Sequence, residues 1–210
     1  MKLTIFGASG KTGQLLTLNA LERGHTVTAY VRSPERFEIR HERLSVVVGT
    51  LEQDEAIGRA INGADAVAEL VGAVSEGTKR IVTAMKQHGI RRLVAASACS
   101  VSDPNDLPDV ELSMLVSFVE SHRIENILAV RRAAEIIRAS DLDWTLVRIP
   151  VLNDRPGGST VKVGYPGRDE VTIYLSRADL ASTILRILET DGQIRQAPVV
   201  SNSLQPAGGC

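Results

Sequence analysis

The sequence has few cysteines and few aromatic residues, and each scarcity excludes a class of protein. Its two cysteines, Cys99 within an apolar run and Cys210 at the last position, do not make the disulfide framework of a small secreted domain. Aromatic residues make up 3% of the chain, fewer than we expect of a surface that stacks nucleic-acid bases. We therefore expect a reducing, cytoplasmic location and no nucleic-acid partner.

An excess of one charge and long apolar runs are also missing. The net charge is −1, so bulk electrostatics favours neither nucleic acid nor an anionic membrane. No apolar run approaches the roughly 18 residues of a membrane span, and no charged-then-apolar leader precedes the first predicted strand. No CxxC, HExxH or dense carboxylate group predicts a metal site. The remaining composition, 43% hydrophobic and 23% charged, is typical of a soluble globular protein.

Short apolar runs alternate with helical patterns along the chain. We predict seven strands, at KLTIF, TVTAYVR, LSVVV, AVAELVG, RRLVAASA, DWTLVRIP and APVVS, with helices between them. Such alternation predicts parallel strands joined by right-handed crossovers, with helices on both faces of the sheet. The sequence thus predicts an α/β fold, a single doubly wound Rossmann-type domain over residues 1–201 with a mostly parallel sheet of about seven strands. We expect residues 202–210 to be a disordered tail, and 153–168 to be a Gly/Pro-rich loop.

A glycine triplet follows the first predicted strand and opens the first helix. In GASGKTG, Gly7 permits a tight turn, Gly10 lets the backbone approach a pyrophosphate, and Gly13 allows close helix–strand packing. The amides at Thr12 and Gly13, at the positive end of the helix dipole, then face the phosphates. Lys11 is expected to be exposed beside them. The pattern predicts a dinucleotide site, and the alternative is an ordinary glycine-rich turn.

Two arginines follow the second predicted strand, where an acidic residue would favour NAD. Arg32 and Arg36 instead carry guanidinium groups, which fork onto the oxygens of a 2′-phosphate and keep their charge. This pair predicts NADP (NADPH) in preference to NAD. The alternative is a pair of solvated surface arginines.

These segments together resemble one family. GASGKTG, VRSPERF, LVGA, LVAASA, SDLDWTLVRIPVLNDRP and SRADLA are similar to the NmrA-like atypical short-chain dehydrogenase/reductase family. Within that family the chain resembles the biliverdin reductase B or flavin reductase group and the bacterial NADH–flavin-reductase-like proteins, from Met1 to about Ser201. The resemblance implies an NAD(P)H-dependent reductase of a small-molecule acceptor, a flavin or a similar planar conjugated molecule. The alternative that it implies is an NmrA-type NADP sensor without turnover, which signals through a protein partner.

The resemblance also implies a set of site residues. It assigns the pyrophosphate to Gly7, Ser9, Gly10, Lys11, Thr12 and Gly13, the 2′-phosphate to Arg32 and Arg36, and the adenine to Thr50 and Leu51. It assigns the middle of the cofactor to Val71, Gly72 and Ala73, and the nicotinamide to Ser97, Pro150 and Val151. Thr50 is usually an aspartate in the family, so we expect a weaker or different adenine contact.

The chain departs from the family in its acid–base residues. Ordinary short-chain dehydrogenases use a Tyr-x-x-x-Lys pair, in which the lysine lowers the pKa of the tyrosine. Ile127 and Arg131 align with that pair here, and Val151 replaces the histidine beside the nicotinamide of the reductase. Ser97 is the remaining catalytic candidate, and its alternative is a small core residue between alanines.

Overall fold

The computed structural model describes residues 1–169 and 171–203. Its strands are β1 (Lys2–Phe6), β2 (Thr26–Val31), β3 (Leu44–Val48), β4 (Ala66–Glu69), β5 (Arg92–Ala98), β6 (Asp143–Ile149), β7 (Val151–Asn153), β8 (Val161–Gly164), β9 (Tyr174–Ser176) and β10 (Val199–Asn202). Its α-helices are α1 (Lys11–Glu22), α2 (Asp54–Ile61), α3 (Ser75–Gln87), α4 (Val110–Arg138) and α5 (Arg177–Glu189). A short 3₁₀ turn covers Pro34–Arg36.

Eight strands form one sheet in the order β3-β2-β1-β4-β5-β6-β10-β8. Neighbours from β3 to β10 pair in parallel, and β8 pairs with β10 in the antiparallel sense. Strands β7 and β9 form a separate parallel ribbon. The predicted doubly wound sheet is confirmed, with eight strands rather than about seven. The extra strand, β8, comes from the segment that we expected to be a loop.

Helices cover both faces of the sheet, as the apolar strands require. Ile5 of β1 packs in one core with residues of α1 and α5, while Phe6 packs in the other with residues of α2, α3 and α4. Because successive side chains of a strand point to opposite faces, a strand buried on both sides reads as a continuous apolar run. This burial fixes the carboxyl ends of β1 to β6 along one edge.

Helix α4 is longer than the sequence predicts. We expected a helix from about residue 121 to 140, but α4 begins at Val110, and Asp109 caps it by accepting a hydrogen bond from the Leu112 amide at 2.9 Å. The two halves of α4 meet at Arg123, whose φ/ψ of −145° and 43° is not helical. Val110, Met114 and Phe118 of the first half are four residues apart, a helical spacing that the sequence analysis did not use, and the structure leaves all three exposed.

Regular structure continues one residue beyond the predicted end of the domain at residue 201. Asn202, which we assigned to the tail, belongs to β10, and its side-chain amide donates to Asp179 at 2.8 Å. The predicted tail residues 204–210 lie outside the described residues.

Candidate functional site

The loop between β1 and α1 has no space for side chains at its first and third glycines. Gly7 has a φ of +81°, and a Cβ added there would lie 2.8 Å from the backbone oxygen of Leu70. A Cβ on Gly13 would lie 2.2 Å from the backbone oxygen of Gly7. Both clashes are with backbone, which cannot move aside as a flexible side chain can. The turn and packing roles that we predicted for these two glycines agree with this geometry.

Gly10 lies in a different environment. A Cβ added there would meet only the Gly7 oxygen, at 3.3 Å, and Gly10 itself is the N-cap of α1. No side chain caps this helix, and no acidic residue occupies its first turn. The first amides of a helix lack intrahelical acceptors and carry the positive end of the dipole. The space before Gly10 therefore faces a ready anion site.

The two arginines lie beside this loop. Arg32 directly follows β2, Arg36 ends the 3₁₀ turn, and both are exposed. Neither guanidinium makes a hydrogen bond or an ion pair with residues 1–169 or 171–203. The side-chain amide of Gln14 donates to the Ser9 oxygen at 3.0 Å and to the Arg36 oxygen at 3.5 Å. This amide ties the backbone that bears Arg36 to the glycine loop.

Sequence reasoning missed a carboxylate near Arg32. A hydrogen bond from Thr50 holds the pKa of Glu52 below its ordinary value, and the charges of Arg80 and Arg32 lower that pKa further. The Glu52 carboxylate is exposed and ionised beside the predicted 2′-phosphate site. It opposes a phosphate there, so Arg32 must outweigh it for NADP to be preferred.

The other predicted cofactor residues lie at the same edge of the sheet. Thr50 and Leu51 follow β3, where Thr50 accepts a hydrogen bond from the Tyr30 hydroxyl at 2.7 Å through its backbone oxygen. Val71, Gly72 and Ala73 join β4 to α3, and Gly72 adopts a φ of +73°. The structure thus brings both sets to the carboxyl ends of parallel strands of one sheet, β3 and β4, at the edge where doubly wound folds bind ligands.

Ser97 lines a cavity of about 340 Å³ beside the glycine loop. Thr12, Gly72 and Pro150 line it as well, together with mostly apolar side chains. The Ser97 hydroxyl oxygen is buried and has no hydrogen-bond partner in the described part of the chain. A buried hydroxyl without a partner costs roughly 1–3 kcal/mol. A ligand in the cavity would supply the hydrogen-bond partner that this oxygen lacks.

Val151 lies apart from that cavity. Its neighbours Pro150 and Leu152 line the Ser97 cavity, whereas Val151 lines a second and larger one. The reason is the alternation of β7, which points consecutive side chains to opposite faces. Of the two residues that the resemblance assigns to the nicotinamide edge, only Pro150 therefore shares a cavity with Ser97.

Lys11 is exposed, as predicted, and it is also paired. Its ammonium group lies 2.6 Å from the carboxylate of Asp154, which binds Arg177 at the same distance. Hydrogen bonds from Lys11 and Arg177 keep the pKa of Asp154 below its ordinary value. These ion pairs connect the glycine loop to the segment after β7.

The positions of the missing acid–base pair are occupied by residues with structural partners. Ile127 is buried in α4. Arg131 donates to the Ser100 oxygen at 2.8 Å and forms an ion pair with Glu120. Burial raises the pKa of the nearby Cys99 thiol to about 12, so this cysteine is unreactive near neutral pH. None of these groups can move a proton as Tyr-x-x-x-Lys does.

The structure also shows a buried acid that the sequence analysis did not single out. Glu69, at the end of β4, is 3% exposed and accepts a hydrogen bond from the Thr78 hydroxyl of α3. Burial raises its pKa to about 7, against a smaller opposing effect of the Thr78 hydrogen bond. The available signal was a charged residue inside the apolar run AVAELVG.

Within residues 1–169 and 171–203, no three His, Cys, Asp or Glu side chains are grouped to hold a metal ion. In the same ranges, no helix has the length and apolar character needed to cross a bilayer.

The model of the NAD(P)H-binding family matches residues 7–191. The chain belongs to this family. A UPF0659 protein of Schizosaccharomyces pombe is 30% identical over 206 residues, which cover 86% of this chain and 81% of that protein. An uncharacterised sugar epimerase of Bacillus subtilis, YhfK, is 26% identical over 90% of this chain and 88% of its own length.

Solved structures share the fold along the whole chain. A short-chain dehydrogenase/reductase of Veillonella parvula, in complex with NADP, has a TM-score of 0.86 and 23% identity, with 99% of each chain covered. The anaerobilin reductase ChuY of Escherichia coli O157:H7 has a TM-score of 0.81 and 18% identity, over 99% of this chain and 100% of its own. The predicted resemblance to atypical short-chain dehydrogenases is confirmed. The chain is thus an NAD(P)H-binding protein with the fold of known reductases.

Proposed function

We propose that the protein is an NADPH-dependent reductase of a flavin or a similar planar conjugated acceptor. The observation that carries the proposal is the Ser97 cavity, which lies beside the glycine loop and contains a buried hydroxyl without a partner. Small-molecule sites are mostly apolar hollows with a few placed polar groups, and this cavity has that composition.

The residues around the cavity fit a phosphorylated dinucleotide. The open side of Gly10 and the uncapped start of α1 would hold the pyrophosphate. The free guanidinium groups of Arg32 and Arg36 would hold a 2′-phosphate, which supports NADP over NAD. Bound NADPH supplies the hydride, and the protein supplies orientation and the exclusion of water.

Ser97 would position a ligand rather than donate a proton. Its hydroxyl can donate a hydrogen bond to, or accept one from, the nicotinamide or the acceptor, and its partner-free state leaves both roles open to a ligand. With Ile127 and Arg131 at the positions of the usual acid–base pair, the chain lacks the Tyr-x-x-x-Lys pair on which alcohol oxidation by a tyrosine base depends. A reduced flavin can take its proton from solvent, so a flavin-like acceptor suits this site.

The second candidate is a protein that binds NADP and signals through a partner without turnover. The observation that favours it is Arg131, whose guanidinium is occupied by Ser100 and Glu120 and so cannot assist a proton transfer.

Two measurements on the purified protein distinguish the candidates. NADPH oxidation is followed with and without FMN, and NADP⁺ binding is measured by calorimetry. We expect NADPH oxidation that depends on FMN. Ser97→Ala should slow it by less than about a hundredfold, because a loss of about a hundredfold or more is expected when a general acid is removed. Ser45→Ala, at an exposed position of β3, is the control and should leave the rate unchanged. Tight NADP⁺ binding with no reduction of flavin, quinone or tetrapyrrole would replace the reductase with the sensor.

A further inference from the structure

A second cavity, of about 670 Å³, lies on the opposite side of β7 from the Ser97 cavity. Val151 and Asn153 of β7 line it, whereas Leu152 between them lines the Ser97 cavity. The volume is in the range of about 300–1,000 Å³ that small-molecule sites occupy. No described residue lines both cavities, so a molecule in the second one is out of reach of a hydride from a nicotinamide beside Ser97. The second cavity therefore suits a ligand other than the acceptor.

The groups that the fold leaves unpaired in this cavity are hydrogen-bond donors. Arg155 is exposed, and its guanidinium makes no hydrogen bond or ion pair with residues 1–169 or 171–203. The Ser203 hydroxyl oxygen is buried without a partner in the same ranges. The Ser159 hydroxyl and the side-chain NH₂ of Asn153 likewise donate to none of the described residues. Because a guanidinium and an amide NH₂ only donate, a ligand of this cavity has to supply acceptors.

The carboxylate of Asp179, which binds two residues of the cavity wall, is already occupied. It accepts hydrogen bonds from the Ser176 hydroxyl, the Asn202 side chain and the Gly158 amide, each at 2.8 Å. Asp179 is buried, so these bonds lie within the fold. They fix Ser176 and Asn202 in the wall and use the acceptors of Asp179.

Arg155 gives the cavity a positive charge that no wall residue neutralises. No carboxylate is among the described residues that line the cavity. Asp154, next to Arg155 in the chain, is instead bound by Lys11 and Arg177, at 2.6 Å each. A guanidinium binds a phosphate or a carboxylate through two parallel hydrogen bonds. The wall therefore favours a ligand with anionic oxygens.

Tyr174 and Val151 give the cavity an apolar side. The two residues are partners in the register of β7 and β9, so their side chains lie next to each other on one face of the ribbon. Tyr174 is 50% exposed. A tyrosine ring offers an apolar face with a hydroxyl at its tip, which can pack against the C–H groups of a sugar ring.

We propose that the second cavity is a binding site for a sugar phosphate, separate from the dinucleotide and from the acceptor. Arg155 binds the phosphate together with the Ser203 hydroxyl, and Tyr174 packs against the apolar face of the sugar. A phosphate monoester has three terminal oxygens, so it offers this set of donors more acceptors than a carboxylate does. The ligand is not a reactant, so the inference does not depend on the proposed reductase.

Glucose 6-phosphate, glucuronate and glucose test the proposal, because they share one ring and carry a phosphate, a carboxylate or a hydroxyl at C6. Binding of each to the full chain is measured by calorimetry, with and without saturating NADP⁺. We expect glucose 6-phosphate to bind at least about tenfold more tightly than glucose, with glucuronate between them. NADP⁺ should leave these affinities unchanged, because the second cavity lies apart from the dinucleotide site.

Two variants locate the bound probe. Arg155→Ala should remove the preference for the two anions and leave the affinity for glucose unchanged. Ser203→Ala should weaken glucose 6-phosphate binding by about fivefold without lowering the melting temperature, because the hydroxyl that it removes has no partner in the described part of the chain. Arg132→Ala, at an exposed arginine of α4 without a hydrogen bond to the described residues, is the matched control and should keep the preference.

Equal affinities of the parent protein for glucose 6-phosphate and glucose would overturn the inference, as would an unchanged preference in Arg155→Ala or no binding of glucose 6-phosphate. Displacement of glucose 6-phosphate by NADP⁺ would also overturn it, because the probe would then occupy the dinucleotide site. Tighter binding of glucuronate than of glucose 6-phosphate would refute the phosphate as the recognised group. The reductase is tested separately, by NADPH oxidation with FMN and without any of these sugars.

Discussion

Replacing Glu69 by glutamine should remove a pH dependence from the stability of the protein. The carboxyl group is 3% exposed between β4 and α3, and one of its oxygens has no hydrogen-bond partner among the described residues. Burial disfavours the charged form and raises the pKa from an ordinary value of 4.5 to about 7. No charged neighbour contributes to this shift, since Glu76 and Lys79 of α3 are exposed and Arg80 pairs with Asp54.

The sign of the effect follows from proton binding. Between about pH 4.5 and about pH 7 the folded protein holds a proton on Glu69 that the unfolded chain has lost, so the free energy of unfolding falls as the pH rises. At about 1.4 kcal/mol per pH unit, this interval is worth about 3 kcal/mol. The contribution is fully present below the unfolded pKa and is lost above the folded one. Glutamine does not ionise, so Glu69→Gln should lack this slope.

Urea denaturation followed by circular dichroism, from about pH 5 to about pH 8, measures the effect. We expect the difference in unfolding free energy between Glu69→Gln and the parent to change by about 2.5 kcal/mol in favour of the variant across this range. Any difference in fit between the amide and the protonated acid has the same cost at every pH and cancels. Glu135→Gln, at an exposed position of α4, is the control and should show no such change. A constant difference across the range would refute the buried, proton-holding Glu69.

Three further predictions concern the dinucleotide site. In calorimetry the parent should bind NADP⁺ at least tenfold more tightly than NAD⁺, a difference of about 1.4 kcal/mol in binding free energy. Arg32→Ala should erase that preference, because Glu52 then opposes the phosphate. Equal affinities of the parent for the two cofactors would contradict this prediction. Gly10→Val should abolish binding of both cofactors and leave the circular-dichroism spectrum unchanged, since a Cβ there meets only the backbone oxygen of Gly7, at 3.3 Å. Unfolding of Gly10→Val would instead make Gly10 a packing residue. Gly13→Ala, in contrast, should lower the melting temperature, because the added Cβ overlaps the Gly7 oxygen.

The sheet was predictable because its strands are buried on both faces. Runs such as LTIF and AVAELV can satisfy their side chains only between two layers of helices, so the alternation with helices determined the order of elements. Strand β8 and the β7–β9 ribbon were not predictable in the same way. They are three or four residues long, and Gly157, Gly158 and Pro156 interrupt the pattern around them. Their pairing partners, β10 and each other, are far away in sequence.

The residues of the candidate site also differ in whether local sequence predicts them. The glycine loop and the two arginines follow from local chemistry, since a turn and a charge can be read without knowing what lies beside them. Glu69 and the second cavity depend on tertiary contacts. The partner of Glu69 is Thr78 in the next helix, and the cavity brings Val151 together with Tyr174 and Ser203. No spacing rule joins such residues, so only the folded chain shows them.

The rim and the interior of the site differ in how firmly they are held. The interior residues Thr172 and Ser176 are buried in hydrogen-bonded positions, so the fold fixes their side chains. The rim pairs Lys11–Asp154 and Asp154–Arg177 are largely exposed, and exposed pairs contribute only about 0–1 kcal/mol each. A phosphate carries more charge than the carboxylate of Asp154, so Lys11 can exchange one partner for the other at little cost in stability. The glycine loop can therefore take up a dinucleotide while the buried hydrogen bonds of Thr172 and Ser176 stay in place.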